Sequence, residues 1–175
     1  MVKKDLPHID NLREEVQEFY FVLVEEKSDL AVVLISTSFI EDCLTVGLRN
    51  HLKKSTELTE RKLDNLFDDN FGLLSTLADK ILMAYCMSII DKNVYDNLDQ
   101  IRKIRNKFAH SRLNISFGDE EISPMCKKLD YCQKPTPGIK DKDDENPLIK
   151  LGKTPRLKFV ITVVLITQKL LISQK

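Results

Sequence analysis

Between Ser28 and Leu52 the sequence places apolar side chains on almost every face of a helical wheel. Leu30, Leu34, Leu44, Leu48 and Leu52 share one stripe, while Val32, Ile35, Phe39 and Val46 cover the others. A helix that is apolar all round has to be covered by other elements, because one apolar stripe already satisfies a surface helix. This segment therefore belongs at the centre of a fold and demands neighbours around it. The chain has 175 residues, enough to bury a substantial core as one domain. The expectation is a single all-α domain over residues 1–175, a bundle of about five or six helices.

The neighbours are legible from their spacing. Asn11 stands three residues before Glu14 as a helix start, and Leu12, Val16, Phe19 and Leu23 follow at helical intervals, predicting a first helix to about Glu26. Ser28-Asp29 opens the central helix. Leu63, Leu66 and Phe67 suggest a short third helix, after which Asp68-Asp-Asn-Phe-Gly72 reads as a turn. A fourth helix is expected from about Ser75 to Ile90 and a fifth from about Lys92 to Ser111. Residues 116–155 hold five of the six prolines and three of the five glycines, with the charge run Asp141-Lys-Asp-Asp-Glu145. That segment reads as a long irregular surface excursion, with a short helix within Ile122–Leu129. Pro155 starts the last helix, carried by Phe159, Val163, Ile166 and Leu170; its β-branched residues make a strand the rival reading.

Composition excludes several functions. The formal charge sums to zero with 31% charged residues, so any nucleic-acid affinity must be local. Cys43, Cys86, Cys126 and Cys132 form no Cys-x-x-Cys or Cys/His cluster, which leaves no metal site expected. Asp68-Asp69 lacks a third ligand, and His8 and His51 read as a terminal and a solvated or capping histidine. No cofactor loop is present. The N-terminal Met1–Pro7 has lysines without an apolar run behind them, and Phe159–Ile166 falls short of the ~20 apolar residues that span a bilayer. A cytoplasmic protein with reduced thiols and no membrane contact is expected.

The fifth helix carries the chemical signal. Val94, Leu98, Ile101, Ile104 and Phe108 form its apolar stripe, and Arg105 falls inside that stripe. An unpaired buried charge costs several kcal/mol, so Arg105 needs a carboxylate. Glu41 sits in the leucine stripe of the central helix, with Asp42 on the next face. The expected structural ion pair is Arg105 with Glu41, or failing that with Asp42. Arg102, Asn106 and His110, each four residues apart, line a second, polar stripe and are the expected partner or ligand surface. Cations at a helix C-terminus account for the charge there but not for the Arg-Asn-x-x-x-His order.

Leu98-Asp-Gln-Ile-Arg-Lys-Ile-Arg-Asn-Lys-Phe-Ala-His110 closely resembles the signature of the mannitol operon repressor (MtlR) family. Ser28-Asp-Leu-Ala-Val-Val-Leu34, Ile40-Glu-Asp-Cys-Leu44 and Leu66–Ile81 resemble the family's early helix, turn and following helix. Ala84–Ile90, Ile122–Leu129 and Pro155-Arg-Leu-Lys-Phe159 are similar to further family segments. Departures lie at Leu73-Leu74, where the family has Pro-Leu, and Leu77-Ala78, where it has Phe-Ser. The resemblance implies an all-helical bacterial regulator that represses mannitol uptake and use. Without a helix-turn-helix or a basic recognition helix, repression through a protein partner is expected in place of direct DNA binding. A homo-oligomer is compatible with this pattern.

A second resemblance competes. Arg105, Asn106 and His110 also resemble the Arg-x4-6-His motif of the HEPN superfamily, which includes metal-independent ribonucleases. That likeness implies His110 as general base or acid on a ribose 2′-OH, Arg105 on the phosphate and Asn106 orienting one of them, with RNA as substrate. On a regular helix, however, Arg105 and His110 point about 140° apart. A regulatory, non-enzymatic role is the primary expectation.

Overall fold

The computed structural model describes residues 12–55, 57–111, 115–131 and 154–172. Among them are seven helices: α1 (Glu14–Glu25), α2 (Asp29–Ser55), α3 (Glu60–Leu66), α4 (Leu77–Cys86), α5 (Lys92–His110), α6 (Ser123–Lys127) and α7 (Pro155–Ile172). No strand occurs among the described residues, so the all-α class holds and Pro155–Ile172 is a helix.

The centre is shared by two helices. α2 lies against α7, α4, α5 and α1, and α7 lies against α2, α1, α6 and α5. Every residue from Phe159 to Thr167 is buried. A helix encased on all sides needs no amphipathic pattern, which is why its sequence shows none. α2 is long and apolar enough to cross a bilayer. Here, however, Val32, Val33, Ile40, Cys43, Leu44 and Leu48 are buried in the protein core.

The leucine stripe expected to be the buried face of α2 is only half so. Leu44 and Leu48 are buried, but Leu30 and Leu34 are exposed. A helix apolar all round does not say which face its neighbours will cover.

Local signals set the helix ends. Asn11 lies outside the described residues; the residue capping α1 is Arg13, whose side chain makes no capping bond. α4 begins with a reciprocal cap in which Thr76 Oγ1 accepts from the Asp79 N–H and donates to Asp79 Oδ2. It stops at Cys86, short of the expected Ile90. The Ile89 N–H bonds to Ala84 O and the Ser88 N–H to Tyr85 O, with Ser88 in the left-handed region at φ 56°. That closure is made without the glycine that normally announces it. α5 is capped by Asp91, whose Oδ1 accepts from the Val94 N–H.

The segment after α5 departs most from expectation. Residues 115–131 are not a surface excursion, because Phe117, Ile122, Cys126, Leu129 and Tyr131 are buried. Phe117 packs 5.2 Å from both Phe108 and Phe159, joining α5 to α7. The Phe117 N–H bonds to Asp29 Oδ2, and Asp29 Oδ1 accepts from Arg156, which also donates to Glu26 O. Residues 132–153, with Cys132 and the 141–145 charge run, lie outside the described residues.

Candidate functional site

α5 is built as a ridge. Val94, Asn97, Leu98, Ile101, Ile104 and Phe108 face the core, and the other side carries Arg102, Lys103, Arg105, Asn106, Lys107 and His110. The buried face is held down by a side chain that the sequence did not announce. Asn97 Nδ2 donates to Asp130 Oδ1 at 2.7 Å, while Asn97 Oδ1 accepts from the N–H groups of Asp130 and Tyr131. This amide fixes α5 against the segment that follows α6.

The polar face is ordered by charge. Asp99 Oδ1 accepts two hydrogen bonds from Arg102, and Lys103 Nζ lies 2.7 Å from Asp99 Oδ2. Partial burial pushes the Asp99 carboxyl up, but hydrogen bonds from Lys103 and Arg102 outweigh it and hold its pKa below the ordinary carboxylate value. Lys107 Nζ reaches Glu121 Oε2 at 2.9 Å, tying the end of the ridge to the turn before α6.

Arg105 is exposed, contrary to the expected core-facing charge. Its single hydrogen bond among the described residues is from Nη1 to Asn106 Oδ1 at 3.2 Å. Arg105 lies at the border of the apolar stripe, where a long side chain turns outward to keep its charge in water. The expected ion pair with Glu41 or Asp42 does not form. Glu41 instead accepts from Lys80 at 2.6 Å, and Lys80 is the buried cation among the described residues. The signal for it was present, since Lys80 stands between Leu77, Ile81 and Ala84 on α4.

Two clefts flank the ridge. One, of about 450 Å³, lies between α2, the start of α4 and α5, lined by Glu41, Ser75, Thr76, Leu77, Ala78, Arg102, Arg105 and Asn106. The other is wider, about 940 Å³, with Lys103, Lys107 and His110 on one wall and Asp119, Glu120 and Glu121 on the other. Ile115 and Met125 also line it. Asn106 borders both. The expected surface of Arg102, Asn106 and His110 is therefore divided, with Arg102 on the first cleft and His110 on the second. Arg105 and His110 likewise line different clefts, so the pair that a HEPN site would bring to one phosphate is separated.

Comparison with known proteins adds three findings. The family model described as mannitol repressor, MtlR, matches residues 16–174. No curated protein matches the chain. Among solved structures, the chain is similar to one described as the X-ray structure of the MtlR-HPr complex from Escherichia coli. That match has a TM-score of 0.67 at 14% identity and covers 90% of this chain and 99% of the other. At that identity the likeness establishes a shared fold.

Proposed function

Because the chain belongs to the mannitol repressor family, we propose that it is a transcriptional regulator of mannitol use that acts in the cytosol by docking a protein partner. The similar structure was solved as a complex with HPr, and an HPr protein is the partner we assign to this chain. The observation that carries this reading is the ridge itself. Lys103, Arg105, Lys107 and His110 stand exposed along one helix with an open cleft on either side. Such a surface offers a protein both charge to steer its approach and concave space to fill.

Direct operator binding is the weaker mechanism. The cations of the ridge are interleaved with Asp99, Asp119, Glu120 and Glu121, and the chain as a whole carries no net charge. A DNA-binding face gains its affinity from uncompensated cations along the phosphate backbone. The experiment is calorimetric titration of the purified chain with HPr at physiological salt, alongside a mobility shift with operator DNA. Saturable binding to HPr with no tight shift of DNA is expected; tight DNA binding by the chain alone contradicts the reading. Incubation of wild-type and His110→Ala protein with RNA completes the test. Metal-independent cleavage lost in the variant would establish the nuclease reading instead.

A further inference from the structure

The smaller cleft beside α5 is polar and carries two kinds of recognition group. Arg102 and Arg105, three residues apart and so neighbours on α5, line it together with Asn106, Glu41, Ser75 and Thr76. Charges that look available are partly committed. Arg102 is held by Asp99, and Glu41 Oε1 is occupied by Lys80. Arg105 has no carboxylate partner among the described residues, and its single bond to Asn106 leaves most of its N–H groups open. The cleft thus keeps one uncompensated positive charge, with a second arginine one helical turn away, itself shared with Asp99.

A planar guanidinium grips phosphate with paired hydrogen bonds, and two of them suit a phosphate monoester better than a single carboxylate. The remaining lining is suited to hydroxyl groups. Glu41 Oε2 accepts, Asn106 accepts and donates, Ser75 does both, and Thr76, whose hydroxyl hydrogen goes to Asp79, can accept. A volume of about 450 Å³ is within the range of small-molecule sites.

We infer that this cleft binds a phosphorylated polyol, with the phosphate on Arg105 and Arg102 and the hydroxyl-bearing chain along Glu41, Ser75, Thr76 and Asn106. The choice of a polyol rests on the mannitol-regulator reading, whereas the choice of a phosphate rests on the arginines alone. A ligand there would report the state of mannitol use to the ridge that meets the partner, since Asn106 borders both clefts.

The test is titration of the purified chain, with no other protein present, by mannitol 1-phosphate, mannitol, inorganic phosphate and gluconate, followed by calorimetry or amide chemical shifts. Mannitol 1-phosphate is expected to bind at least about tenfold more tightly than the other three, because mannitol and inorganic phosphate each engage one end of the cleft and gluconate offers a singly charged carboxylate in place of the phosphate. Arg105→Gln, a substitution at an exposed side chain, is expected to weaken that binding about tenfold or more with an unchanged melting temperature. No saturation by mannitol 1-phosphate, equal binding of gluconate, or an Arg105→Gln variant that binds like the wild type would each overturn the inference. Equal binding of inorganic phosphate would do the same for the polyol. Because HPr is absent from this titration, its failure leaves partner docking untouched, and failure of docking leaves it intact.

Discussion

Lys80 Nζ of α4 lies 2.6 Å from Glu41 Oε1 of α2, and this contact sets a lysine only 6% exposed against the central helix. Removing the carboxylate leaves Lys80 buried without its counter-charge. Glu41 is partly open to solvent, which softens the loss, so Glu41→Gln is expected to cost about 1–3 kcal/mol by urea denaturation. The double variant Glu41→Gln/Lys80→Met is expected to recover much of that loss, because it removes the stranded charge. A double variant less stable than Glu41→Gln alone contradicts this account.

Asn97 serves three hydrogen bonds to the Asp130–Tyr131 segment from inside the core. Asn97→Ala strands two backbone N–H groups and is expected to cost about 2 kcal/mol or more. Hydrogen exchange checks it: the amides of Asp130 and Tyr131 should lose protection before those of α7. Unchanged protection there would show that the segment is held by packing alone.

Gly72 closes the turn before α4. A Cβ at that position would lie 2.5 Å from Leu66 O and 2.6 Å from Asp68 N, both backbone atoms that cannot move aside. Gly72→Ala is expected to destabilise by about 1–3 kcal/mol in thermal or chemical melts. Neighbouring Phe71, 94% exposed, should tolerate Phe71→Ser without loss of stability. Equal stability of Gly72→Ala and wild type would rule out this packing.

Burial raises the Cys43 thiol to about 11, with Asp42 and Glu15 adding to the shift, and burial also raises Cys126 to about 12. Cys86 is exposed. Since the thiolate is the reactive form, iodoacetamide at pH 8 should label the Cys86 peptide far faster than the Cys43 and Cys126 peptides in the native protein. Mass spectrometry resolves the peptides. Labelling of Cys126 at the rate of Cys86 would contradict the buried placement of α6.

The sequence conveyed the helices better than the contacts between them. The stripe Val94, Leu98, Ile101, Ile104 and Phe108 is buried as its spacing required. Residues with one unambiguous apolar face are fixed by periodicity. α2 has no such face, so its leucines predicted the helix but misassigned which side is covered. Arg105 fell at the edge of the α5 stripe, where a wheel cannot tell an inward charge from one that turns outward. The true buried cation, Lys80, lay in a short helix whose apolar positions bracket it. Phe117 and Tyr131 were hidden because the stretches on either side of the short α6 have no repeating pattern. They are placed instead by Asn97 and by the Asp29 carboxylate, contacts of long sequence separation. The MtlR-like motif around α5 located the ridge, but its division into two clefts depends on α4 and on the turn before α6.

The central claim is that a protein partner docks on the exposed ridge of α5. The most direct measurement is the affinity of HPr for a Lys103→Glu/Lys107→Glu variant, compared with Lys62→Glu on α3 as a charge-matched control at an exposed site. The ridge variant is predicted to lose at least about tenfold in affinity while Lys62→Glu binds like the wild type. Equal affinity of all three proteins, or a loss confined to Lys62→Glu, would contradict the account.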